Sequence, residues 1–516
     1  MTELAKRIAP SHLSFKRYPK FNAPRVLLLH GWGFDQRIWE NVLTPLQKHV
    51  EVVTVCLPGF GDNMDVDCDY SDEQLIALFK PLLAPQTFVI GWSLGGNLAM
   101  LLARHFPAQI RGIICLATNP CFVEQAQWPG MAAMTLEQFI NGFENQPAKT
   151  IKQFVGLNAM GDKNQRLRLA RCRELAASQN NPAMQAGLNY LKRIDQRQDL
   201  KQLALPVSFY FAEEDVLVPV KVAQELAELG FRTDVIEATG HALPMEEQQP
   251  WLTCLDNMLM SYGKPTDKQA IAKAFGSAAK TYDSAASLQV KVADKLLSLL
   301  PKGRQQTFVD LGCGTGYCLT KLKEHCDNLI ALDLSLGMLQ NLKQGLGLPV
   351  VGDAENIPLA DQSVDLVFSS LAIQWCQNPA LLFKEIHRIL KPGGRFIFST
   401  LGPESLGELR AAWWGVDSGV HVNGLATWQQ LSEQITAFSL ELHLNNNEVI
   451  AYGDVIDLMR DLKHLGANRV DQRAGSLTTK TDLKRLKTNY ERFRGSDGTL
   501  PASYSVHYAV IQKLSS

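Results

Sequence analysis

The chain has 516 residues, and because single hydrophobic cores stop growing near about 250 to 300 residues, we expect two domains. Lys and Arg total 51 against 52 for Asp and Glu, which excludes an overall field that attracts nucleic acid or an anionic membrane. A hydrophobic content of 46% without long apolar runs predicts two globular cores in a soluble, cytoplasmic protein. Ten scattered cysteines without a C-x-x-C pair predict buried thiols and no metal site.

In the first half, short apolar runs alternate with helical patterns. This alternation predicts βαβ units and a largely parallel sheet. The strand pattern stops from about 121 to 200, where a helical stretch rich in Met, Gln and basic residues predicts a cap inserted late in the sheet. The predicted strands are residues 26–29, 52–55, 88–90, 113–116, 207–211 and 234–237.

A linker and a second strand series follow. Gly, Pro and polar residues interrupt the periodicity near the middle of the chain. We therefore predict a first domain at 1–260, a linker at 261–268 and a second domain at 269–516. The predicted strands of the second domain are residues 307–311, 329–332, 350–351, 366–369, 395–399 and 505–512.

The sequence G-W-S-L-G at 91–95 lies between a predicted strand and a predicted helix at 96–104. This is the context of the G-x-S-x-G turn, in which small residues permit a sharp backbone bend that exposes the serine hydroxyl. Ser93 is therefore the predicted nucleophile of a serine hydrolase.

Two further residues complete a predicted triad. Asp215 and His241 each follow a later predicted strand, and the order Ser, Asp, His is that of the α/β-hydrolases. His241 is the predicted base for Ser93, and Asp215 is predicted to orient its imidazole. Glu213 and Glu214 remain rivals for the acidic position.

An oxyanion hole is predicted from two loops. The sequence H-G-W-G at 30–33 follows the first predicted strand, where a glycine-rich turn can direct a backbone N–H at a developing oxyanion. We assign the hole to the backbone N–H groups of Trp32 and Leu94. The Trp32 ring either forms a wall of the substrate pocket or packs in the core.

The second half contains a glycine-rich loop with an acidic residue before it. The sequence D-L-G-C-G-T-G at 310–316 separates a predicted strand from a helix, and Gly312, Gly314 and Gly316 permit a ligand to approach the backbone. Asp310 disfavours dinucleotide phosphates but suits the cationic end of a sulfonium ligand that carries an amino acid.

Acidic residues after the next two strands predict the rest of a nucleoside site. Asp333 is placed to bind ribose hydroxyls, and Asp353, followed by Ala354, is placed to accept from an adenine amino group. Asp365 is interpreted as a structural strand-end residue, and K-P-G-G at 391–394 as a turn. Together these motifs resemble the class I methyltransferases, which implies a Rossmann-like domain that uses S-adenosylmethionine and no metal.

Several segments resemble two families of biotin synthesis. Residues 274–289, L-A-I-Q-W-C at 371–376, H-V-N at 421–423 and 458–468 resemble the malonyl-[acyl-carrier protein] O-methyltransferases. The first half, with H-G-W-G, G-W-S-L-G-G and F-V-G-L-N at 154–158, resembles the pimeloyl-[acyl-carrier protein] methyl ester esterases. The resemblance implies that the second half methylates the malonyl carboxyl and the first half hydrolyses the later methyl ester.

The same resemblance implies particular contacts. The esterase pocket is implied to include Trp32, Ser93, Leu94, Phe154, Val155, Gly156, Leu157, Asn158 and His241. Basic cap residues, which a solvated helix face also explains, are implied to meet the acyl-carrier protein: Lys149, Lys152, Lys163, Arg166, Arg168, Arg171 and Arg173. Tyr282, Gln374 and Trp375 are candidates for closing over the malonyl group, with helical packing as the rival for Tyr282 and Trp375.

Two rival functions stay open from the sequence. One half could have lost its chemistry and serve as a carrier-docking or scaffolding module, although the intact triad and glycine loop argue against this. Alternatively, a general carboxylesterase is joined to a methyltransferase of a quinone or a small acid. The residues also leave open whether acyl-carrier protein or coenzyme A carries the acyl group.

Overall fold

The computed structural model describes residues 12–20, 23–177, 181–260, 262, 267–417, 419–467 and 478–514. The chain forms two compact units. The first comprises Met1–Leu259, Arg410–Ser418 and Lys480–Arg492, and the second comprises Met260–Leu409, Gly419–Thr479 and Phe493–Ser516. The sequence pattern did not predict that two short segments of the C-terminal half join the first unit.

The first unit contains a seven-stranded sheet with the order β1-β3-β2-β4-β5-β6-β7. Its inner strands are buried along their length because helices cover both faces, which explains their nearly continuous apolar sequences. All pairs are parallel except β1 with β3. The strands are β1 (Phe15–Tyr18), β2 (Arg25–Leu29), β3 (Glu51–Val55), β4 (Thr87–Trp92), β5 (Ile110–Leu116), β6 (Val207–Ala212) and β7 (Arg232–Ile236).

Helices pack around this sheet, and five of them follow β5. Those five, α4 to α8, fill the segment predicted to form a cap before the chain returns to the sheet at β6. The helices of this region are α1 (Glu40–Gln47), α2 (Asp72–Phe79), α3 (Leu94–His105), α4 (Ala133–Asn145), α5 (Pro147–Ala159), α6 (Gln165–Leu175), α7 (Pro182–Arg193), α8 (Arg197–Gln202), α9 (Lys221–Glu228) and α10 (Pro250–Met260).

The second unit contains another seven-stranded sheet, with the order β10-β9-β8-β11-β12-β14-β13. Five strands are parallel, and β14 runs antiparallel to both β12 and β13. The strands are β8 (Gln305–Leu311), β9 (Cys326–Asp333), β10 (Leu348–Val351), β11 (Val364–Ser370), β12 (Leu390–Leu401), β13 (Phe438–Tyr452) and β14 (Leu500–Lys513).

Helices of the C-terminal half lie between these strands and at its start. In α17 the chain passes from the second unit to the first, and α20 belongs to the first unit. The helices are α11 (Lys268–Ala278), α12 (Tyr282–Ala285), α13 (Ser287–Leu297), α14 (Leu319–Glu324), α15 (Leu336–Leu339), α16 (Pro379–Ile389), α17 (Gly407–Trp414), α18 (Trp428–Ser432), α19 (Val455–His464) and α20 (Lys480–Tyr490).

The architecture confirms the predicted fold class, an α/β-hydrolase sheet followed by a Rossmann-like sheet. The turn predicted at 391–394 is wrong in detail, because these residues lie inside β12. A register shift between β11 and β12 accommodates them, and Gly393 adopts a φ of 76° there. Strands β1 and β13 were not predicted. Residues 261 and 263–266 of the predicted linker lie outside the described residues, so its bounds stay a prediction.

Candidate active sites

Ser93 occupies the sharp turn between β4 and α3. Its backbone has a φ of 53° and a ψ of −120°, a left-handed conformation that costs a non-glycine residue energy. A Cβ at Gly91 would overlap the Gly95 carbonyl, and a Cβ at Gly95 would overlap the Leu29 carbonyl. The two glycines therefore permit the close packing of helix on strand that holds Ser93 at the end of the sheet.

Asp215 and His241 form a buried pair on the loops after β6 and β7. His241 Nδ1 lies 2.7 Å from Asp215 Oδ2, and both side chains are 1% exposed. Asp215 Oδ1 accepts the backbone N–H groups of Leu217 at 2.8 Å and Val218 at 3.0 Å. The carboxylate is thereby fixed as an acceptor for Nδ1–H, which leaves Nε2 as the basic nitrogen of the imidazole.

The rival acids do not take this position in the structure. Glu213 Oε2 accepts the backbone N–H of Ala238, and the side chains of both Glu213 and Glu214 are exposed. The indole of Trp92, next to the nucleophile, donates to the His241 carbonyl at 2.8 Å. The loop that carries His241 is therefore tied directly to the nucleophile turn.

The H-G-W-G loop is held by His30, a residue whose role the sequence analysis missed. Its Nε2 accepts the backbone N–H of Leu57 at 2.8 Å, and its Nδ1 donates to the Gly31 carbonyl at 2.8 Å. Burial lowers the pKa of His30 to about 4, against the opposing influence of Gly31 and Asp35, so the ring is neutral. The sequence feature that could have pointed to His30 is a polar residue directly after an apolar strand.

The Trp32 ring both packs in the core and forms a wall of the substrate pocket, the two alternatives that the sequence left open. The ring is 2% exposed and meets Phe60, Phe139, Phe143 and Phe154 edge-on, with centroids 5.0 to 6.2 Å apart. Its Nε1 donates to the Met184 carbonyl of α7 at 2.9 Å. The ring also lines a cavity that contains Ser93 and His241. It is thus a buried wall that joins the sheet domain to the cap.

That cavity is almost wholly apolar apart from the catalytic groups. Phe154 and Leu157 line it from α5, whereas Val155, Gly156 and Asn158 are not among its lining residues. Leu94 is buried at the first position of α3, where its backbone N–H belongs to the unsatisfied N-terminal turn. The cavity lining is Trp32, Ser93, Phe122, Met131, Thr135, Leu136, Phe139, Phe154, Leu157, Leu188, Leu191, Leu217 and His241.

The basic residues of the cap fall into two groups. Arg168 is 10% exposed and pairs with Asp162 at 2.7 Å and with Glu246, and Arg171 pairs with Glu40 at 2.6 Å. These two arginines are therefore engaged in structural ion pairs. The exposed basic side chains are Lys149, Lys152, Lys163, Arg166 and Arg173.

In the second unit, the glycine loop bends sharply between β8 and α14. Gly312, Gly314 and Gly316 have φ values of 73°, 55° and 89°. A Cβ at Gly312 would overlap the Ala372 side chain, whereas a Cβ at Gly314 would meet no atom within 4 Å. Gly312 is therefore required by packing, and Gly314 faces open space that a ligand can use.

Asp310 lies one position before the end of β8, beside a cavity that no described Lys, Arg or His lines. It is 2% exposed, and its Oδ2 accepts no hydrogen bond from the described part of the chain. Burial, and then the charge of Asp333, raise the pKa of Asp310 to about 8. Such an unsatisfied buried carboxyl is costly unless a ligand supplies the missing donor.

Asp333 ends the next strand and organises the same loop. Its Oδ2 accepts the Gly314 N–H at 2.9 Å, and its Oδ1 accepts the Ser335 N–H at 2.8 Å. Burial raises its pKa, and these two hydrogen bonds oppose that shift. Asp333 thus shapes the glycine loop as well as facing the cavity, whose lining it shares with Gly312 and Gly314.

Asp353 is paired with a residue that the sequence analysis did not identify. Its Oδ2 lies 2.6 Å from Lys268 Nζ, which also lies 2.9 Å from Glu355. Lys268 is the first residue of α11 and lines the same cavity as Asp353 and Ala354. No local pattern marks Lys268, because only the fold brings α11 to the end of β10.

Of the three residues predicted to close over the malonyl group, two line the cavity and one does not. Trp375 lines the cavity with Phe275, whose ring it meets edge-on at 5.1 Å, and Tyr282 borders this cavity and a second one behind the glycine loop. Gln374 is not a lining residue, because its Nε2 donates to the Leu371 carbonyl at 2.6 Å. Tyr282 also packs against the Ala285, Ala286 and Leu465 cluster, so packing and lining coexist.

Asp365 has the structural environment expected of it. It accepts the Thr307 N–H at 2.8 Å and pairs with Lys391 Nζ at 2.9 Å.

Asn468, the end of one segment that resembles the methyltransferase family, lies outside the described residues. Within the described ranges, no group of three or more His, Cys, Asp or Glu is arranged to hold a metal ion, and no helix is long and apolar enough to cross a membrane.

Comparisons with known proteins find relatives of both halves of the chain. The model of the alpha/beta hydrolase family matches residues 26–252, and that of the methyltransferase domain matches residues 309–398. A biotin biosynthesis bifunctional protein BioHC of Cellvibrio japonicus is 37% identical, covering 95% of this chain and 99% of the relative. One of Teredinibacter turnerae is 35% identical, covering 96% and 94%. A malonyl-[acyl-carrier protein] O-methyltransferase of Hahella chejuensis is 38% identical, covering 48% and 91%.

Fold, site and family models together define a bifunctional enzyme, a hydrolase joined to a methyltransferase. The relatives that are 35% and 37% identical along nearly the whole chain show which family of bifunctional enzymes this is. The chain belongs to the family of the biotin biosynthesis bifunctional proteins.

Proposed function

We propose that the C-terminal half uses S-adenosylmethionine to methylate the free carboxyl of malonyl-[acyl-carrier protein]. The N-terminal half then hydrolyses pimeloyl-[acyl-carrier protein] methyl ester to methanol and pimeloyl-[acyl-carrier protein]. The observation that carries the proposal is that one chain contains both a cavity lined by Ser93 and by His241, which pairs with Asp215, and a carboxylate-lined glycine loop. The change of unit between Leu259 and Met260 supports the domain boundary at 261–268.

In the hydrolase site, Ser93 Oγ attacks the methyl ester carbonyl while His241 Nε2 takes the hydroxyl proton. Asp215 holds the imidazole by its Nδ1–H and stabilises the cation that forms. The developing oxyanion is bound by the N–H groups of Leu94 and Trp32, and the N-terminus of α3 adds a favourable dipole. His241 returns the proton to the departing methanol, and a water molecule then releases the acyl group by the same steps.

The residues of the second site fit S-adenosylmethionine. Asp310 Oδ2, which has no partner among the described residues, and a lining without a described Lys, Arg or His behind the glycine loop suit the ammonium group of the ligand's amino acid end. The open space at Gly314 lets the ligand approach the backbone, and Asp333 and Asp353, next to Ala354, suit ribose hydroxyls and the adenine amino group. When bound, the cofactor supplies a methyl group on a sulfonium, so no metal is needed.

The chain itself positions the acceptor for methyl transfer. Trp375, Phe275 and Tyr282 form apolar walls at the cavity, which would exclude water from a malonyl carboxylate bound there. Gln374, tied to Leu371, supports the short helix that carries Trp375. An acceptor carboxylate is already deprotonated at neutral pH, so no general base is required.

The two activities have a shared chemical logic. A carboxylate is costly to bury in apolar acyl tunnels, and methylation removes its charge while the chain is extended. Hydrolysis then restores the carboxylate once the acyl chain has reached its final length. We place both reactions in the cytoplasm, which the ten free cysteines support.

Docking of the carrier would make the esterase slow on methyl malonyl-carrier, the product of the methyltransferase. The exposed cap residues Lys149, Lys152 and Lys163 can bind an acidic carrier. A phosphopantetheine arm of fixed reach then brings only a long acyl chain to Ser93. An ester misplaced by about 1 Å already loses about a hundredfold in rate. Methyl malonyl-carrier, shorter by several bonds, is therefore expected to be a poor substrate.

The test supplies the purified full chain with malonyl-carrier plus S-adenosylmethionine and, separately, with methyl pimeloyl-carrier, and follows both acyl groups by mass. We expect gain of one methyl group in the first reaction and its loss in the second. The same acyl groups on coenzyme A test whether the carrier protein is required. A small aromatic methyl ester tests for a general carboxylesterase. Equal rates on every ester would indicate a general carboxylesterase, and no transfer to malonyl-carrier would indicate another acceptor.

A further inference from the structure

The loop that carries His241 is in contact with the cap on the amino side of the histidine. The Ala238 carbonyl accepts the backbone N–H of Lys163, which lies between α5 and α6, at 3.1 Å. A Cβ at Gly240 would lie 2.4 Å from the Met160 carbonyl, so the loop passes close against the chain that leaves α5. The backbones of the cap and of this loop therefore meet just before His241.

On the carboxyl side of His241, one arginine joins the cap to the same loop. Arg168 of α6 has its Nε 2.7 Å from Asp162 Oδ2, and its Nη2 pairs with Glu246 Oε1. These arginine, aspartate and glutamate side chains are 10%, 2% and 7% exposed. Glu246 follows the short helix Leu243–Met245, whose first N–H donates to the His241 carbonyl at 2.9 Å. A single turn thus connects Arg168 to the backbone of His241.

The pairing of one cation with two buried carboxyl groups resists loosening. Burial raises the pKa of Glu246, and the charge of Arg168 opposes that rise. A guanidinium presents its N–H donors in a rigid planar fork, so it can bind Asp162 and Glu246 at once in one geometry. Removal of one partner from a buried ion pair leaves an uncompensated charge, which is far more costly than the loss of an exposed pair. The link between α6 and the loop is therefore stiff.

We propose that Arg168 is a positioning residue for ester hydrolysis. By tying α6 of the cap to Glu246, it keeps His241 against Asp215 and within reach of Ser93. The inference rests on the catalytic roles proposed for Ser93 and His241. It assigns the cap a part in placing the base, in addition to covering the substrate cavity.

His241 then has supports from the sheet, from the acid and from the cap. Trp92 donates to its carbonyl at 2.8 Å, Asp215 holds its ring at 2.7 Å, and the cap holds its loop. Neither Arg168 nor Glu246 is among the residues that line the substrate cavity. Their loss should therefore displace the base without changing contacts to the ester. Because a displacement of about 1 Å costs about a hundredfold in rate, we expect the effect in kcat and not in KM.

The test measures hydrolysis of a small methyl ester by the full chain with Arg168→Met, with Glu246→Leu and with both. A small ester reaches Ser93 without a carrier, so a loss of rate cannot come from docking at the basic cap. Active sites are counted by the mass added when an organophosphonate reacts to completion with Ser93. We expect kcat per counted site to fall about ten- to a hundredfold in each single variant, with KM within about twofold. The double variant should lose no more than either single one, because both changes cut the same link.

Arg25→Met is the matched control for a purely structural role. Arg25 begins β2 and pairs with Glu51 of β3 at 3.0 Å, and the two side chains are 13% and 8% exposed. This pair is buried to a similar degree but lies at the amino ends of the strands, whereas Ser93 and His241 follow the carboxyl ends. Arg25→Met should lower the temperature of thermal unfolding and leave kcat per counted site within about twofold.

Glu246→Leu keeps the test decisive if Arg168→Met fails to fold, because it leaves Arg168 paired with Asp162. An unchanged kcat per counted site in Glu246→Leu would overturn the assignment of Arg168, and so would an equal fall in Arg25→Met or additive losses in the double variant. Failure of the organophosphonate to label Ser93 in the unaltered protein would instead overturn the proposed catalytic site, and this inference with it.

Discussion

The hydrolase site and the methyltransferase site differ in how far the chain completes them. In the hydrolase site, Asp215 has three hydrogen-bond partners and holds His241 at 2.7 Å. In the methyltransferase site, Asp310 Oδ2 and Gln289 Oε1 find no partner in the described chain. A site that performs chemistry with its own side chains is organised in advance, whereas a site built for a charged cofactor leaves acceptors for the ligand.

The largest expected effect is on ester hydrolysis. Ser93→Ala should lower the hydrolysis of methyl pimeloyl-carrier by at least about four orders of magnitude, because the nucleophile is lost. Methyl transfer to malonyl-carrier should be unchanged, since the two sites share no residue. Rates of both reactions on one protein preparation check this. Hydrolysis within about tenfold of the unaltered enzyme would contradict the assignment of Ser93.

The reciprocal change tests the open site. Gly314→Val fills the space next to the cavity and forces a β-branched residue to a φ of 55°, so S-adenosylhomocysteine binding should weaken by more than about a hundredfold. Calorimetry gives the affinity, and an unchanged circular dichroism spectrum and thermal unfolding profile show that both units are folded. A folded variant with unaltered affinity would place the cofactor elsewhere.

The pH dependence of cofactor affinity sharpens the comparison further. Because the pKa of Asp310 is raised to about 8, its carboxyl is mostly protonated at pH 6 and cannot pair with an ammonium group. As pH rises from about 6 to 7.5, the carboxylate fraction grows and S-adenosylhomocysteine should bind about tenfold more tightly. Asp310→Asn should remove this dependence. A flat profile in the unaltered protein would contradict it.

Among the residues that the structure describes, the other titratable groups near Asp310 do not supply a competing positive charge. Asp333 on β9 opposes ionisation of Asp310. Lys321 and Asp294 lie beside Tyr317 and pair with each other at 3.2 Å. The remaining groups that line the cavity are acids: Tyr282, Asp283, Cys313, Tyr317 and Cys318. The ligand's ammonium is therefore the cation that would neutralise Asp310.

The smallest expected effect concerns the cap. Lys149→Glu combined with Lys152→Glu should lower kcat/KM for methyl pimeloyl-carrier several-fold, up to about tenfold, at low salt. Hydrolysis of a small methyl ester should be unaffected, because Ser93 is unchanged. Lys221→Glu, an exposed charge reversal on α9 outside the cap, is the matched control. Equal losses of kcat/KM in the control and in the cap variant would contradict the assignment of Lys149 and Lys152 to carrier docking.

Ser93 and the glycine loop could be identified in the sequence because each lies in a short local motif. Ser93 and Gly314 belong to turns whose backbone geometry restricts the residue types, and such restrictions are visible in a single chain. The edge strand β1, with its exposed F-K-R-Y sequence, lacks the apolar run that marks the inner strands. It was missed for that reason.

Residues that act through long-range contacts could not be found in this way. Lys268 meets Asp353 across 85 positions of sequence, and Gln289 lines the cavity behind the glycine loop because α13 packs against β11 and β12. His30 supports the hydrolase loop through Leu57, which no motif connects with it. Segments 410–418 and 480–492 belong to the first unit although they lie far from it in the sequence. Tertiary structure, not local pattern, assigns these residues their places.

The most direct test of the whole account is the fate of methyl malonyl-carrier made by the enzyme itself. Malonyl-carrier and S-adenosylmethionine are supplied to the unaltered protein and to Ser93→Ala, and the acyl mass is followed with time. We expect methyl malonyl-carrier to accumulate at the same rate in both, because the short ester does not reach Ser93. Accumulation in Ser93→Ala alone would contradict this discrimination by chain length, and accumulation in neither would contradict the methyltransferase assignment.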